Sequence, residues 1–170
     1  SNTMLHYDAA RGLPLAPLRT VAFEEDFVWA GGSEAARYDG LIEEWQRLGN
    51  AQGMKGSIVH AVLPSGDRVF LATDRGVEEY DPRYERWRLY ASPDSIDVLD
   101  AFVAGSALWL LCKDKLLRFD VASRVFSPFP LTAFPGDSIR SIIVNGNEFW
   151  LVTSSDVWQY SVSADALRPF

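Results

Sequence analysis

Four polar residues stand at one recurring position of this sequence: Thr20, His60, Asp100 and Ser141. Thr20, Asp100 and Ser141 lie nine residues before Trp29, Trp109 and Trp150, and His60 lies ten before Phe70, where the intervening turn is taken to be longer. Arg19 and Arg140 adjoin two of them. Hydroxyl, imidazole, carboxylate and guanidinium groups that converge could hold a small polar ligand or an ion. One His, one Asp and two hydroxyls do not make the His- or Cys-rich shell of zinc, so no metal is expected, although an oxygen-rich cation site is conceivable. The plainer alternative is a set of polar groups hydrogen-bonded to water or backbone.

Other chemistry is sparse. The chain has two histidines, His6 and His60, so a Ser-His-Asp or Cys-His arrangement has at most one well-placed base. Cys112 closes the apolar run Leu108-Trp109-Leu110-Leu111-Cys112 and reads as a packed small hydrophobe in a buried strand. Glu24-Glu25 and Glu43-Glu44 fall at turns and strand edges, where carboxylate pairs are usually solvated. Gly31-Gly32 reads as the end of a strand, since no glycine-rich loop leads into a helix. No catalytic residue and no cofactor are expected.

Composition excludes several classes of function. The chain has 170 residues, 48% hydrophobic and 13% aromatic, enough apolar material for a packed core rather than disorder. Its formal charge of -7 and the absence of any basic run argue against nucleic acid, whose affinity comes from clustered Lys and Arg. No apolar stretch reaches the length of a membrane span, and no signal peptide is visible. A single cysteine rules out an internal disulfide and does not fix the compartment. Ser1-Asn2-Thr3 ahead of Met4 reads as a cloning or tag remnant.

The elements that would position the polar residues emerge from an internal repeat. Trp29, Phe70, Trp109 and Trp150 recur at intervals of about forty and each opens a short apolar run. A second column, Tyr38-Asp39, Tyr80-Asp81, Phe119-Asp120 and Tyr160-Ser161, and a third, Trp45, Trp87, Phe126 and Leu167, keep step with it. Upstream of each first-column aromatic lies another apolar segment: 18–23, 58–63, 98–103 and 139–144. Turn residues separate all of these, and no segment has a helical apolar period. The chain therefore reads as all-β, a β-propeller of four four-stranded antiparallel blades at about 18–48, 58–90, 98–129 and 139–170, in one domain over 18–170 behind an extension of residues 1–17. A blade cannot bury both faces alone, so Trp29, Trp109 and Trp150 are expected to pack between blades. The innermost strands would then bring Thr20, His60, Asp100 and Ser141 toward a central channel.

The wording of the repeat resembles a known family. Val69-Phe-Leu-Ala-Thr-Asp-Arg-Gly-Val-Glu-Glu-Tyr-Asp-Pro82, and Phe27-Val-Trp-Ala-Gly-Gly32 followed by Ala36-Arg-Tyr-Asp39, are similar to the two-component-regulator propeller repeat, over roughly Leu18 to Phe170. Only the second copy keeps the Thr-x-x-Gly step, Thr73 to Gly76. Asp97 to Phe102, Lys113 to Asp120 and Phe134 to Asp137 bear a weaker resemblance to haemopexin repeats, which close as four blades. The first resemblance implies the sensory part of a larger bacterial signalling protein, at a periplasmic or other extracytoplasmic location; the second implies an extracellular binding domain.

Two arrangements follow: a closed monomeric ring of four blades, which is the favoured reading, or half of a larger ring completed by a homodimer. Leu5-His6-Tyr7-Asp8 matches third-strand wording and reads either as the remnant of a preceding blade or as an outer strand beside Ala166 to Phe170. The function expected is a non-catalytic ligand-binding or protein-interaction module. Its partner would be a small ligand or a protein, and the candidate ligand residues are Thr20, His60, Asp100, Ser141, Arg19 and Arg140. The competing reading is a lyase or hydrolase site at the channel mouth, built on His60 and Asp100.

Overall fold

The computed structural model describes residues 6–14, 17–91, 98–112, 115–129 and 139–169. Ser1-Asn2-Thr3, Met4, Leu5, Asp97, Lys113, Asp114, the stretch from Phe134 to Asp137, and Phe170 lie outside the described residues. Two compact units make up the chain, Ser1–Val98 and Leu99–Phe170.

The first unit holds two sheets. Strands β1 (Thr20–Glu24), β2 (Phe27–Gly31), β3 (Ala35–Asp39) and β4 (Glu44–Leu48) form one, and β5 (Val59–Ser65), β6 (Arg68–Thr73), β7 (Gly76–Asp81) and β8 (Arg86–Ala91) form the other. The second unit repeats the plan with β9 (Val98–Ala104), β10 (Ala107–Cys112), β11 (Leu116–Asp120) and β12 (Val125–Phe129), then β13 (Ser141–Asn145), β14 (Glu148–Val152), β15 (Val157–Ser161) and β16 (Ala166–Pro169). In every sheet the strands lie in sequence order and paired neighbours run antiparallel, as a run of tight hairpins dictates. The all-β reading with four-stranded blades is correct.

Turn chemistry explains the columns of Asp and Gly. The first hairpin of each sheet turns through two residues, and the leading one has positive φ: Gly66 (62°), Gly105 (61°), Gly146 (60°) and, in the first sheet, Glu25 (45°). This is the geometry of hairpin turns that favour Gly, so Glu25 occupies a position that costs an L-residue about 1 kcal/mol. The third hairpin turns through four residues and ends on a left-handed Glu43, Glu85, Arg124 or Asp165. Asp39, Asp81 and Asp120 each accept a backbone N–H from that turn, at 2.9, 3.0 and 2.8 Å. The Asp column is therefore turn-capping.

Each unit has its own aromatic core. In the first, fully buried Trp29 meets Tyr80 of the next sheet edge-on at 6.0 Å, packed among Leu48, Met54, Val62 and Leu71. In the second, fully buried Trp109 meets Tyr160 of the next sheet at 5.5 Å and Phe149 at 4.9 Å. Burying one such indole is worth at most about 4–6 kcal/mol. Trp150 departs from the expectation: it is only half-buried, because it lies on the face of the fourth sheet opposite the one that packs with Trp109.

The N-terminal segment also departs from its reading. Tyr7 lies in no strand, and β16 is the last strand in the order of its sheet. Asp8 caps a 3-10 turn (Ala9–Arg11) that ends on left-handed Gly12, and buried Leu13 follows. Gly49, the turn Asn50–Gln52, left-handed Gly53 and buried Met54 repeat this plan between the first and second sheets. Tyr7 packs on Tyr38 and Trp45 at 5.3 and 6.0 Å. Residues 7–13 therefore imitate the connection that enters a blade, not a third or an outer strand.

That connection is held by carboxylates. Glu78, wholly buried in β7, accepts the N–H groups of Lys55 (2.8 Å) and Gly56 (2.6 Å), while Asp74 accepts those of Ser57 (2.7 Å) and Ile58 (3.1 Å). Charged acceptors for four consecutive N–H groups fix the approach to β5.

Candidate functional site

The inner-strand polar residues divide between the units. Thr20 opens β1 and is half-buried, its methyl directed at the Cα of Gly31, and the exposed Arg19 donates its backbone N–H to the Gly31 carbonyl at 2.8 Å. Ser141 opens β13 and is exposed, and the neighbouring Arg140 donates its backbone N–H to the Val152 carbonyl at 2.7 Å. Asp100 is exposed on β9, and its carboxylate accepts the Ala101 N–H at 2.8 Å.

His60 is out of register with this set. Its hairpin has the same two-residue turn as the others, so the extra residue before Phe70 is not in the turn. Instead β5 shifts register between Val59 and Ala61. Ala61 pairs with Ala72 as Thr20 pairs with Gly31 and Ser141 with Val152, and His60 is the inserted bulge residue, 6% exposed. A bulge re-aims a side chain and is a common feature of functional edges. Among the described residues no three His, Cys, Asp or Glu side chains cluster as metal ligands.

A second polar column runs through the third strands. Arg37, Glu79, Arg118 and Gln159 each sit directly before the Tyr or Phe of the second aromatic column, and each pairs across the sheet with Trp29, Phe70, Trp109 or Trp150. The Arg37 and Arg118 guanidinium carbons both stand 5.9 Å from the ring of their Trp partner. Glu79 accepts from the Tyr90 hydroxyl at 2.7 Å and faces Arg68 at 3.6 Å; Gln159 donates to Glu148 and accepts from Arg168, both at 2.9 Å. The signal in the sequence was the residue preceding each aromatic of the second column, which reads as ordinary solvent-side alternation until the pairing is known.

These cations bear on the buried tyrosines. Burial pushes the Tyr80 hydroxyl pKa up, and the Arg37 charge partly opposes the shift. Tyr160 rises to about 12, first through burial and then through its hydrogen bond to Asp165, with Arg118 opposing. Two equivalent joints, one in each unit, thus use the same Trp, Arg and Tyr.

Within the first unit, a groove of about 310 Å³ opens between the turn ends of its two sheets. Glu24, Glu25, Phe27 and Arg37 line it from the first sheet, and Asp67 and Arg83 from the second. Arg37 lies 4.8 Å over the Phe27 ring and donates to Gln46 at 3.1 Å, while Glu24 accepts the Trp29 indole N–H at 2.9 Å. Asp67 is shared by Arg68 (2.8 Å) and Arg83 (3.6 Å). Glu25, exposed and held left-handed, lines this mouth from a backbone position that glycine would occupy without strain. The volume is at the lower end of small-molecule sites, and an aromatic wall with both signs of charge suits a compact polar or zwitterionic ligand. Among the described residues that line it there is no Ser, Thr, Cys or His, and hence no hydroxyl or thiol nucleophile and no imidazole base.

No protein-family model matches the sequence, and no curated protein matches it. Solved structures do match in fold. The extracellular domain of the candidate hybrid two-component system BT3049 from B. thetaiotaomicron aligns with a TM-score of 0.67 at 16% identity, over 98% of this chain and 26% of its own. That of BT4673 from the same organism aligns with a TM-score of 0.68 at 14% identity, over 90% of this chain and 23% of its own. Virginiamycin B lyase from Staphylococcus aureus aligns with a TM-score of 0.66 at 13% identity, over 94% and 58%. The chain thus spans about a quarter of the length of the two extracellular domains. Its fold is that of β-propeller blades, and its structural neighbours include the extracellular domains of two-component-system propeller proteins.

Proposed function

We propose that this chain is a non-catalytic ligand-binding propeller module, the sensory part of a larger extracytoplasmic signalling protein. The observation that carries the reading is the likeness in fold, over nearly the whole chain, to extracellular domains of candidate two-component systems. The groove of the first unit gives that reading a place for a ligand, because its exposed Glu25 and Arg83 can engage opposite ends of a compact zwitterion while Phe27 covers an apolar flank. The inner-strand residues Thr20, His60, Asp100 and Ser141, with Arg19 and Arg140, are a second place for polar contacts. A thermal-shift panel of amino acids, dipeptides and small saccharides tests the assignment. A stabilising compound should lose its effect in Arg83→Ala or Glu25→Ala and keep it in Val157→Ser, which lies in the other unit. Stabilisation that survives both groove substitutions and vanishes in His60→Ala would move the site to the inner strands.

The likeness to virginiamycin B lyase favours a second reading, a lyase. It would draw on His60, whose bulged position resembles the irregularities found beside active sites. Turnover of any compound that stops in His60→Ala without loss of thermal stability would establish it over the binding-only reading.

A further inference from the structure

Every sheet ends on a fourth strand, and among the described residues no strand pairs with the outer side of any of the four. Such an edge presents N–H and C=O groups on which another extended segment can pair. Three of the four edges are blunted. β12 and β16 contain Pro128 and Pro169, and proline removes a donor and crowds an incoming strand. β4 has Gly12 against its backbone: a Cβ on Gly12 would stand 2.9 Å from the Trp45 carbonyl oxygen, and Arg47 donates to the Ala9 carbonyl at 2.7 Å. β8 is the exception. It has no proline, at six residues it is the longest of the four, and the equivalent Gly53 approaches the Trp87 ring rather than the strand backbone.

The side chains of β8 specify what would pair there. Arg86 and Arg88 stand on one face, and Trp87 and Leu89 on the other. Asp81 and Glu79 lie directly across from the two arginines, yet Arg68 draws both carboxylates, at 2.9 and 3.6 Å, and Tyr90 donates to Glu79 at 2.7 Å. Arg86 and Arg88 lie instead over the rings of Tyr84 and Tyr90, at 5.8 and 5.0 Å. Both are exposed, and among the described residues neither has a carboxylate within ion-pair distance. In a chain of net charge -7 the edge therefore offers two positive charges with no internal partner. The opposite face offers half-buried Trp87 and exposed Leu89.

We propose that β8 takes up, as a fifth strand, an extended segment of a partner polypeptide in which acidic residues alternate with apolar ones. Strand addition supplies backbone hydrogen bonds whatever the sequence, and the cross-strand positions supply the choice: carboxylates beside Arg86 and Arg88, aliphatic or aromatic side chains beside Trp87 and Leu89. A lone anion would use the arginines and leave the apolar face idle, whereas charge alternating with apolar surface along one edge has the period of a strand. This edge is distinct from the groove, whose Arg83 is engaged by Asp67 at 3.6 Å.

Fluorescein-labelled seven-residue peptides in which Asp or Glu alternates with Val, Ile or Phe, followed by fluorescence anisotropy against the whole chain, test the proposal. At least one should bind, and its affinity should fall by about tenfold or more in the double variant Arg86→Ala, Arg88→Ala. Arg75→Ala, an exposed arginine on the β6–β7 turn of the same unit, should leave it unchanged. N-methylating alternate peptide nitrogens, with the wild-type chain, separates strand addition from attraction of charge alone. One alternate set should abolish binding, and the other should leave it. Absence of binding by every peptide, equal loss with both N-methylated sets, or binding of a sulfated oligosaccharide at these arginines in place of the peptides overturns the proposal.

Discussion

Three tryptophans at one repeat position have different energetic duties. Trp29 and Trp109 fill their cores, so Trp29→Ala and Trp109→Ala should each cost about 3–5 kcal/mol in denaturant unfolding. Trp150→Ala should cost roughly half as much, since its ring is half in water. Equal losses at all three would contradict the assignment of faces. Tyr160 gives a pH test with a definite sign. Its folded pKa of about 12 lies above the ordinary 10.0, so the stability it contributes is complete below pH 10 and is lost as pH rises toward 12. Melting temperatures measured over that window should fall more steeply for the wild-type chain than for Tyr160→Phe. The aromatic columns were legible at this scale because a bulky residue recurring at a fixed period marks the same packing position in each repeat. Which Trp is only half-buried was not, because a sequence does not say which sheet face is covered.

Hairpins and connections are where local chemistry decides stability. Glu25 stands where the other three first turns have glycine, so Glu25→Gly should raise stability by about 1 kcal/mol, and in a chain that binds at the groove it should weaken ligand response at the same time. A gain in stability with full ligand response would remove Glu25 from the site. Gly53 makes the opposite case. Its φ is +109° and a Cβ there would meet the Trp87 ring at 3.1 Å, so Gly53→Ala should destabilise the first unit by roughly 1–3 kcal/mol in the same unfolding assay. The Asp columns were readable as turn residues, and the strands followed from alternation between them. The bulge at His60 was not, because counting residues back from Phe70 cannot tell a longer turn from an insertion inside the strand. Leu5-His6-Tyr7-Asp8 meets a similar limit: its Tyr-Asp wording matches a third strand, whereas among the described residues Tyr7 lies in no strand, packs on Trp45 and is followed by a turn ending on Gly12, as in the connection between the first and second sheets.

At the scale of the whole molecule, the repeat accounts for the fold and leaves function to what the repeat does not share. Arg37 and Arg118 stand on their tryptophans in like manner, yet among the groove residues Glu25, Asp67 and Arg83 come from turns far apart in sequence, which no periodicity connects. That is why the inner-strand column was visible in the sequence and the groove was not. The likeness to extracellular sensor domains and the likeness to a lyase rest on the same fold, so fold alone does not choose between holding a ligand and transforming it. Ligand-observed NMR on compounds that stabilise the chain makes the choice directly. For a binding module, ligand signals should broaden on adding protein, recover in Arg83→Ala, and show no new species after prolonged incubation. Product signals that grow with time and disappear in His60→Ala would contradict that role.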